Sequence, residues 1–285
     1  MGAEVKTAVV TGGSSGIGRE TVKRLAQKGF SVIAAARRLD RLEELKSQFG
    51  NIVPMKVDLS KEDEVEEFCR DLSLLPQPAG VLINNAGYSI RGALEDVPPD
   101  AVRRVFQVNV FSLIRVTQAC LPGMRRARAG RIVNVSSMAG KFAFPMSGVY
   151  AATKHAVEAV TDALRIEVRP LGIRVVAIRP GFTATEFNDA AARITGDLFA
   201  RTDPDYKQLY QASGGAVGKM FANAVVPGPE VIADLIMEAI ESESPKAAYS
   251  GGFLSGEFLE RRTAMDDDTF DAWLSDKTGL AGLKV

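Results

Sequence analysis

The 285-residue sequence predicts a doubly wound α/β fold, one parallel sheet of about seven strands with helices on both faces. Three observations lead there. Short, almost wholly apolar runs recur along the chain, longer stretches of helical period separate them, and a glycine-rich turn follows the first run. A sheet covered on both faces needs near-continuous apolar strands, and helical crossovers between successive strands make them parallel.

The first strand is read over Val5 to Val10. It opens into Thr11-Gly12-Gly13-Ser14-Ser15-Gly16-Ile17-Gly18 and then a helix over Arg19 to Lys28. Phe30 to Ala36 and Ile52 to Val57 form the second and third strands. In the helix that follows, Val65, Phe68, Cys69 and Leu72 share a face while Glu62, Asp63, Glu66 and Glu67 turn to water. The fourth strand is Val81 to Ile83, the fifth Arg131 to Val135 and the sixth Ile173 to Ile178, with a helical stretch from Val149 to Pro170. A helix beginning near Pro229 and a strand around Lys246 to Ser250 complete the series. No repeat, low-complexity tract or linker divides the chain, so residues 1–285 read as one unit. Residues 182–228 break the rhythm, with Phe187, Leu198, Phe199, Tyr206, Tyr210, Met220 and Phe221 among small and polar positions. So long an insertion is expected to be a substrate lid, the alternative being a helical pair packed for stability or dimerisation.

Composition narrows the function. Thirty-five basic residues balance thirty-five acidic ones, so no net charge draws the chain to nucleic acid or an anionic membrane. No apolar run approaches the roughly 20 residues of a membrane span, and no secretory leader is evident, which makes a cytoplasmic protein the expectation. Gly2 is a poor myristoylation match because Lys6 stands where that motif takes Ser or Thr. Cys69 and Cys120 read as buried reduced thiols, without the His/Cys spacing of a metal site.

A strand, a glycine-rich turn and a helix N-terminus together make an anion site, because free N–H groups and the helix dipole point at the ligand. Gly12, Ser14, Ser15, Gly16, Ile17 and Gly18 supply that turn, spaced Gly-x-x-x-Gly-x-Gly. With this spacing the chain resembles the short-chain dehydrogenase/reductase family. The resemblance recurs in order through Asn84-Asn85-Ala86-Gly87, Asn109, Ser137, Tyr150 with Lys154, and Pro180-Gly181 with Thr185, and covers about residues 4 to 185.

The resemblance implies a Rossmann-type fold, a nicotinamide cofactor and an oxidoreductase interconverting a carbonyl compound and an alcohol. Asp58 and Leu59 resemble the pair flanking the adenine, although Asp58 also suits a helix N-cap. Asn85, Ala86 and Gly87 resemble the backbone over the adenosine side. Pro180, Gly181 and Thr185 resemble the segment under the carboxamide, with Thr183 where an aliphatic residue is usual. Family members commonly pair helices, which implies a homodimer or homotetramer.

An acidic residue at the end of the second strand would bind the adenosine 2′-hydroxyl of NAD(H) and repel a 2′-phosphate. Here the strand ends in Arg37-Arg38, so NADP(H) is expected in preference to NAD(H). Tyr150 and Lys154 stand four apart on one helical face, where the cation would lower the phenol's ordinary value of about 10. Ser137 lies thirteen positions before Tyr150, the interval usual in the family, and the resemblance gives it the substrate oxygen; the neighbouring Ser136 is set aside on that interval. The resemblance makes Asn109 the support of a water chain from Lys154 and gives Tyr150 the proton transfer. His155 points elsewhere on the helix. Phe142, Phe144 and Met146 with the 182–226 stretch are the candidate walls of a pocket for a lipophilic substrate. A cofactor sensor without turnover, and an epimerase or dehydratase on a related frame, are the other readings.

Overall fold

The six apolar runs and the seventh strand expected near Lys246 to Ser250 form one parallel sheet in the order β3-β2-β1-β4-β5-β6-β7. The computed structural model describes residues 7–187, 198–200 and 202–284. The strands are β1 (Thr7–Thr11), β2 (Ser31–Ala36), β3 (Ile52–Lys56), β4 (Val81–Asn84), β5 (Gly130–Val135), β6 (Ile173–Pro180) and β7 (Ala248–Gly251). Val5 and Lys6, assigned to the first strand from sequence, lie outside the described residues. The helices around the sheet are α1 (Gly16–Gln27), α2 (Leu39–Gln48), α3 (Glu62–Ser73), α4 (Pro99–Phe106), α5 (Ser112–Ala127) and α6 (Gly148–Val168). After β6 come α7 (Pro204–Phe221), α8 (Glu230–Glu241), α9 (Ser255–Ala264) and α10 (Asp267–Lys277).

Strand alternation divides the core between the two faces. Ala8 and Val10 of β1, with Val32 and Ala34 of β2, pack against Val22 and Leu25 of α1 and Ile232 and Ile236 of α8. Val9 and Ile33 point the other way, onto Val65 and Phe68 of α3 and Val116 and Cys120 of α5. Every one of these side chains is buried. This two-sided burial is why the strands read as apolar runs rather than as an alternating pattern.

The order reverses between β1 and β4, which are hydrogen-bonded neighbours although β2 and β3 lie between them in the chain. A crevice opens at the carboxyl ends of the strands at such a reversal, and there this fold class binds ligands. Thr11, Asn84 and Val135 bring β1, β4 and β5 to that edge.

Two helix starts near the crevice differ from the sequence reading. Helix α1 starts at Gly16 rather than Arg19, because the glycine turn itself supplies the first helical turn behind the extended N-cap Ser15. Asp58 does not cap α3, whose N-cap is Lys61; its carboxylate instead closes the turn after β3, accepting from Ser60 N at 3.0 Å and Ser60 Oγ at 2.8 Å. The helices α9 and α10 were not anticipated from the sequence. Their Phe258, Phe270 and Trp273 form an aromatic cluster with Phe142 and Phe144 beside the crevice.

Candidate active site

The glycine turn needs glycine because there is no room for anything larger. Gly12 has φ of +70°, and a β-carbon built on it would stand 2.8 Å from Asn85 Nδ2. One built on Gly18 would stand 2.3 Å from Gly12 O. Asn85 fills this space itself, donating from Nδ2 to Thr11 O at 3.0 Å and to Gly12 O at 3.3 Å. Thr11 Oγ1 returns the tie by accepting from the backbone N–H of Asn85 and of Ala86, each at 3.1 Å. The turn at the end of β1 is thus locked to the end of β4, leaving a bare backbone cradle at the N-terminus of α1. That cradle fits a pyrophosphate.

One cavity of about 1380 Å³ runs from this cradle across the carboxyl ends of the strands. Gly12, Ser14, Ser15, Gly16 and Ile17 line it, as do Arg37, Arg38, Asp58 and Leu59. Asn85, Ala86, Gly87, Ser137, Tyr150, Lys154, Pro180, Gly181, Thr183 and Thr185 line it too. Gly18 and Asn109 stand behind the lining, in supporting positions. His155 is turned away on α6, its Nδ1 against Ala151 O at 2.9 Å.

Tyr150 and Lys154 are brought under the crevice by α6. Tyr150 is 9% exposed and Lys154 4%. Lys154 Nζ donates to Val135 O at 2.9 Å and lies 5.8 Å from the centre of the Tyr150 ring. Burial pushes the lysine down from 10.5 to about 8, against a small upward pull from Glu158. Burial also pushes the Tyr150 phenol up from 10 to about 12, opposed by its hydrogen bond with Ser137 and by the charge of Arg91. This corrects the expectation that Lys154 holds the phenol below its ordinary value: desolvation dominates, and the downward pulls come from Ser137 and Arg91.

The two adjacent serines are separated by geometry. Ser137 caps the short helical turn Met138–Gly140, accepting from Ala139 N at 3.1 Å, and reaches Tyr150. Ser136 also lines the cavity, but its Oγ is buried without a hydrogen-bond partner among the described residues, and a β-carbon on Gly140 would stand 2.7 Å from it. Asn109 lies in a five-residue π-helical turn, Gln107–Phe111, between α4 and α5. Its amide oxygen accepts from Tyr88 N, and its NH₂ donates to Tyr88 O and Thr153 Oγ1, each at 3.0 Å. The side chain therefore fixes the stretch after Gly87 onto α6, one helical step from Lys154.

The cavity walls are partly those expected. Phe144 and Met146 line it, while Phe142 does not: it is 4% exposed and stacks on Phe258 at 5.4 Å. Phe182, Phe187, Leu198, Met220 and Phe221 add further apolar wall, with the Phe187 ring 5.9 Å from that of Tyr150. Helix α7 is tied down by Tyr210, whose hydroxyl accepts from Ala93 N at 2.7 Å and donates to Asp96 Oδ2 at 3.0 Å. Residues 188–197 and 201 of the expected lid lie outside the described residues. Arg41, Arg91, Arg104 and Glu186 also line the cavity and were missed from the sequence, where charged residues of this kind read as solvated surface.

Among the described residues no group of His, Cys, Asp and Glu could hold a metal ion, and no helix is long and apolar enough to cross a membrane. Cys69 and Cys120 are free and buried.

Comparison with known proteins fits this geometry. The profile described as short chain dehydrogenase matches residues 6–194. An uncharacterised oxidoreductase of Staphylococcus saprophyticus is 36% identical over 239 residues, covering 82% of this chain and 89% of the relative. The NADPH-dependent 1-acyldihydroxyacetone phosphate reductase of Saccharomyces cerevisiae is 33% identical over 254 residues, covering 87% and 83%. A solved serine dehydrogenase, in its closed form complexed with NADP+, superposes with a TM-score of 0.73 at 26% identity, covering 87% of this chain and 95% of that one.

Proposed function

The chain belongs to the short-chain dehydrogenase family, and from that premise we propose that it is an NADP(H)-dependent oxidoreductase interconverting a ketone or aldehyde and an alcohol. The observation that carries the reading is one cavity in which a buried Tyr150, bonded to Ser137 and close to Lys154, faces a bare glycine cradle and a cluster of arginines.

The donor set suits the cofactor. The turn Gly12 to Gly18 takes the pyrophosphate, Arg37 and Arg38 take the 2′-phosphate, and Asp58 and Leu59 flank the adenine. Asn85 to Gly87 cover the adenosine side, and Pro180, Gly181, Thr183 and Thr185 hold the carboxamide end. When bound in reduced form the cofactor supplies the hydride. The chain's own residues do the rest. Ser137 orients the substrate oxygen, and Tyr150 delivers the proton that turns it into a hydroxyl. A phenol raised to about 12 is fully protonated near neutral pH, which suits a donor. Lys154, lowered to about 8, retains a proton there and can restore the one that Tyr150 gives up. Asn109 keeps the segment after Gly87 fixed against α6 while this happens. In oxidation Tyr150 takes the alcohol proton instead, as its phenolate.

Apolar walls of Phe144, Met146, Phe182, Phe187, Leu198 and Met220 favour a lipophilic substrate. The yeast relative, an NADPH-dependent 1-acyldihydroxyacetone phosphate reductase, supports an acylated, lipophilic ketone and the same cofactor. We read residues 182–228 as a substrate lid whose α7 portion is held in place by Tyr210 and Asp96. Assembly as a homodimer or homotetramer in the cytoplasm goes with the family reading.

Titration with NADPH and NADH, followed by a panel of ketones and aldehydes read at the NADPH absorbance, tests this function. Tight NADPH binding with turnover of a lipophilic carbonyl is expected. Tight binding without turnover of any carbonyl would favour the sensor reading, and preference for NADH would overturn the role given to the arginines.

A further inference from the structure

At the outer end of the cavity the chain grips one of its own carboxylates. Glu186, on the segment after β6, accepts from Arg38 Nη1 at 2.7 Å and from Arg41 Nη1 at 2.6 Å. Arg38 turns its other terminal nitrogen to Ser15 Oγ, also at 2.7 Å. These four residues come from three separate stretches: the glycine turn, the start of α2 and the post-β6 segment. All four line the same cavity. Two guanidinium groups converging on one oxyanion, with a hydroxyl beside the N-terminus of a helix, is the donor set that binds a phosphate.

Charge and exposure say how firmly the carboxylate is held. The two arginines keep Glu186 ionised by pulling its carboxyl down to about 2. Yet the Arg38 and Arg41 side chains are 41% and 37% exposed and that of Glu186 is 50% exposed. Exposed pairs of this kind contribute little net free energy. A phosphate monoester carries roughly −1.5 to −2 charges and three acceptor oxygens, so it is the stronger ligand for the same donors. Arg37 adjoins the pair, and the carboxylates of Asp40, Glu44 and Asp58 act on these arginines besides Glu186.

We propose that Glu186 sits in the seat of the cofactor's 2′-phosphate, that NADP(H) exchanges the carboxylate for the phosphate, and that Arg41 is a further phosphate ligand beside Arg37 and Arg38. The proposal rests on the NADP(H) reading above. NADH, with a hydroxyl at that position, leaves the clasp closed. The exchange also reaches the substrate side. Glu186 anchors a short segment whose Thr185 methyl leans on the glycine turn, 3.3 Å from a β-carbon built on Gly16, and whose Phe187 packs on Tyr150. Releasing Glu186 frees that segment to settle against the bound cofactor.

Dissociation constants for NADPH and NADH, measured by calorimetry on the full chain, test the exchange. Arg41→Ala should weaken NADPH about tenfold, the scale of a lost charge-assisted bond, and change NADH by less than about twofold. Glu186→Gln should tighten NADPH by about threefold, the scale of an exposed ion pair no longer broken, again with NADH unmoved. Unchanged NADH binding also reports that each variant is folded. Equal weakening of both cofactors by Arg41→Ala, or weaker NADPH binding in Glu186→Gln, would overturn the exchange. A wild-type protein that prefers NADH would remove the cofactor reading and the proposal together. Wild-type preference for NADPH with the ratio unmoved in both variants would remove the proposal alone.

Discussion

Replacing Lys154 by methionine should make the protein lose its chemistry without losing stability at neutral pH, and the pH dependence of that difference is set by burial. The folded lysine sits at about 8 against an ordinary 10.5. At about 1.36 kcal/mol per pH unit, this drop is a penalty of about 3 kcal/mol for holding a buried charge. Below pH 8 the folded and unfolded chains both carry the proton and the penalty is fully present. Between about 8 and 10.5 the folded lysine has released its proton while the unfolded one retains it, so wild-type stability rises with pH. Tyr150, raised to about 12, acts in the opposite sense, but only above its ordinary 10. Methionine removes the penalty and the slope together, and strands Val135 O, which accepts from Lys154 Nζ at 2.9 Å. An unsatisfied buried carbonyl costs about 1–3 kcal/mol. Lys154→Met should therefore be unchanged or more stable by up to about 2 kcal/mol at pH 7. The wild type should then gain about 2 kcal/mol on the variant between pH 7.5 and 9.5. Urea unfolding of both proteins at these pH values measures it. A difference that stays flat with pH would refute the reasoning, since it would mean that the folded lysine is as well solvated as the unfolded one.

Other expectations follow from the same geometry. Because the Tyr150 phenol is raised to about 12 and Lys154, which restores its proton, is lowered to about 8, carbonyl reduction should be nearly constant from pH 6 to about 7 and fall above 8, while alcohol oxidation rises across the whole range; steady-state rates in the two directions check it, and parallel profiles would contradict it. The carboxylate of Glu158, 4% exposed, takes three hydrogen bonds from Arg179 at 2.7–3.2 Å. Glu158→Ala strands that arginine and should lower stability by about 3–5 kcal/mol, read from the urea midpoint. Burial raises Cys69 to about 11 and Cys120 to about 12, so neither thiol should react with a disulfide reagent at pH 8 until the chain is unfolded. Rapid labelling of the native protein would contradict their burial.

Much of the fold was legible because the strands are buried on both faces, and each strand read from the sequence lies within a few residues of the one found. The grouping of Tyr150, Lys154 and Ser137 was legible for a local reason. Tyr150 and Lys154 share a helix, so four residues of spacing bring them together, and Ser137 lies a short loop away. What escaped depends on contacts between distant segments. Glu186 meets Arg38 and Arg41 across 148 and 145 positions, and Tyr210 meets Asp96 across 114. No periodicity reports such pairs. Phe142 and Phe144 looked equivalent as pocket walls, but the stacking of Phe142 on Phe258 of the unanticipated helix α9 turns it into the aromatic cluster. The phenol's raised value was hidden in the same way, because the sequence displays the lysine four residues on but not the depth at which both groups lie.

The central claim is that Tyr150 passes the proton while the cofactor is held elsewhere, and Tyr150→Phe tests it most directly. NADPH consumption with a ketone that the wild type reduces, and the NADPH dissociation constant, would be measured on both proteins. The account predicts a loss of about 10²–10⁴ in turnover, the usual contribution of a positioned acid, with NADPH affinity changed by less than about twofold. Turnover retained in Tyr150→Phe would contradict it and give the proton transfer to another group.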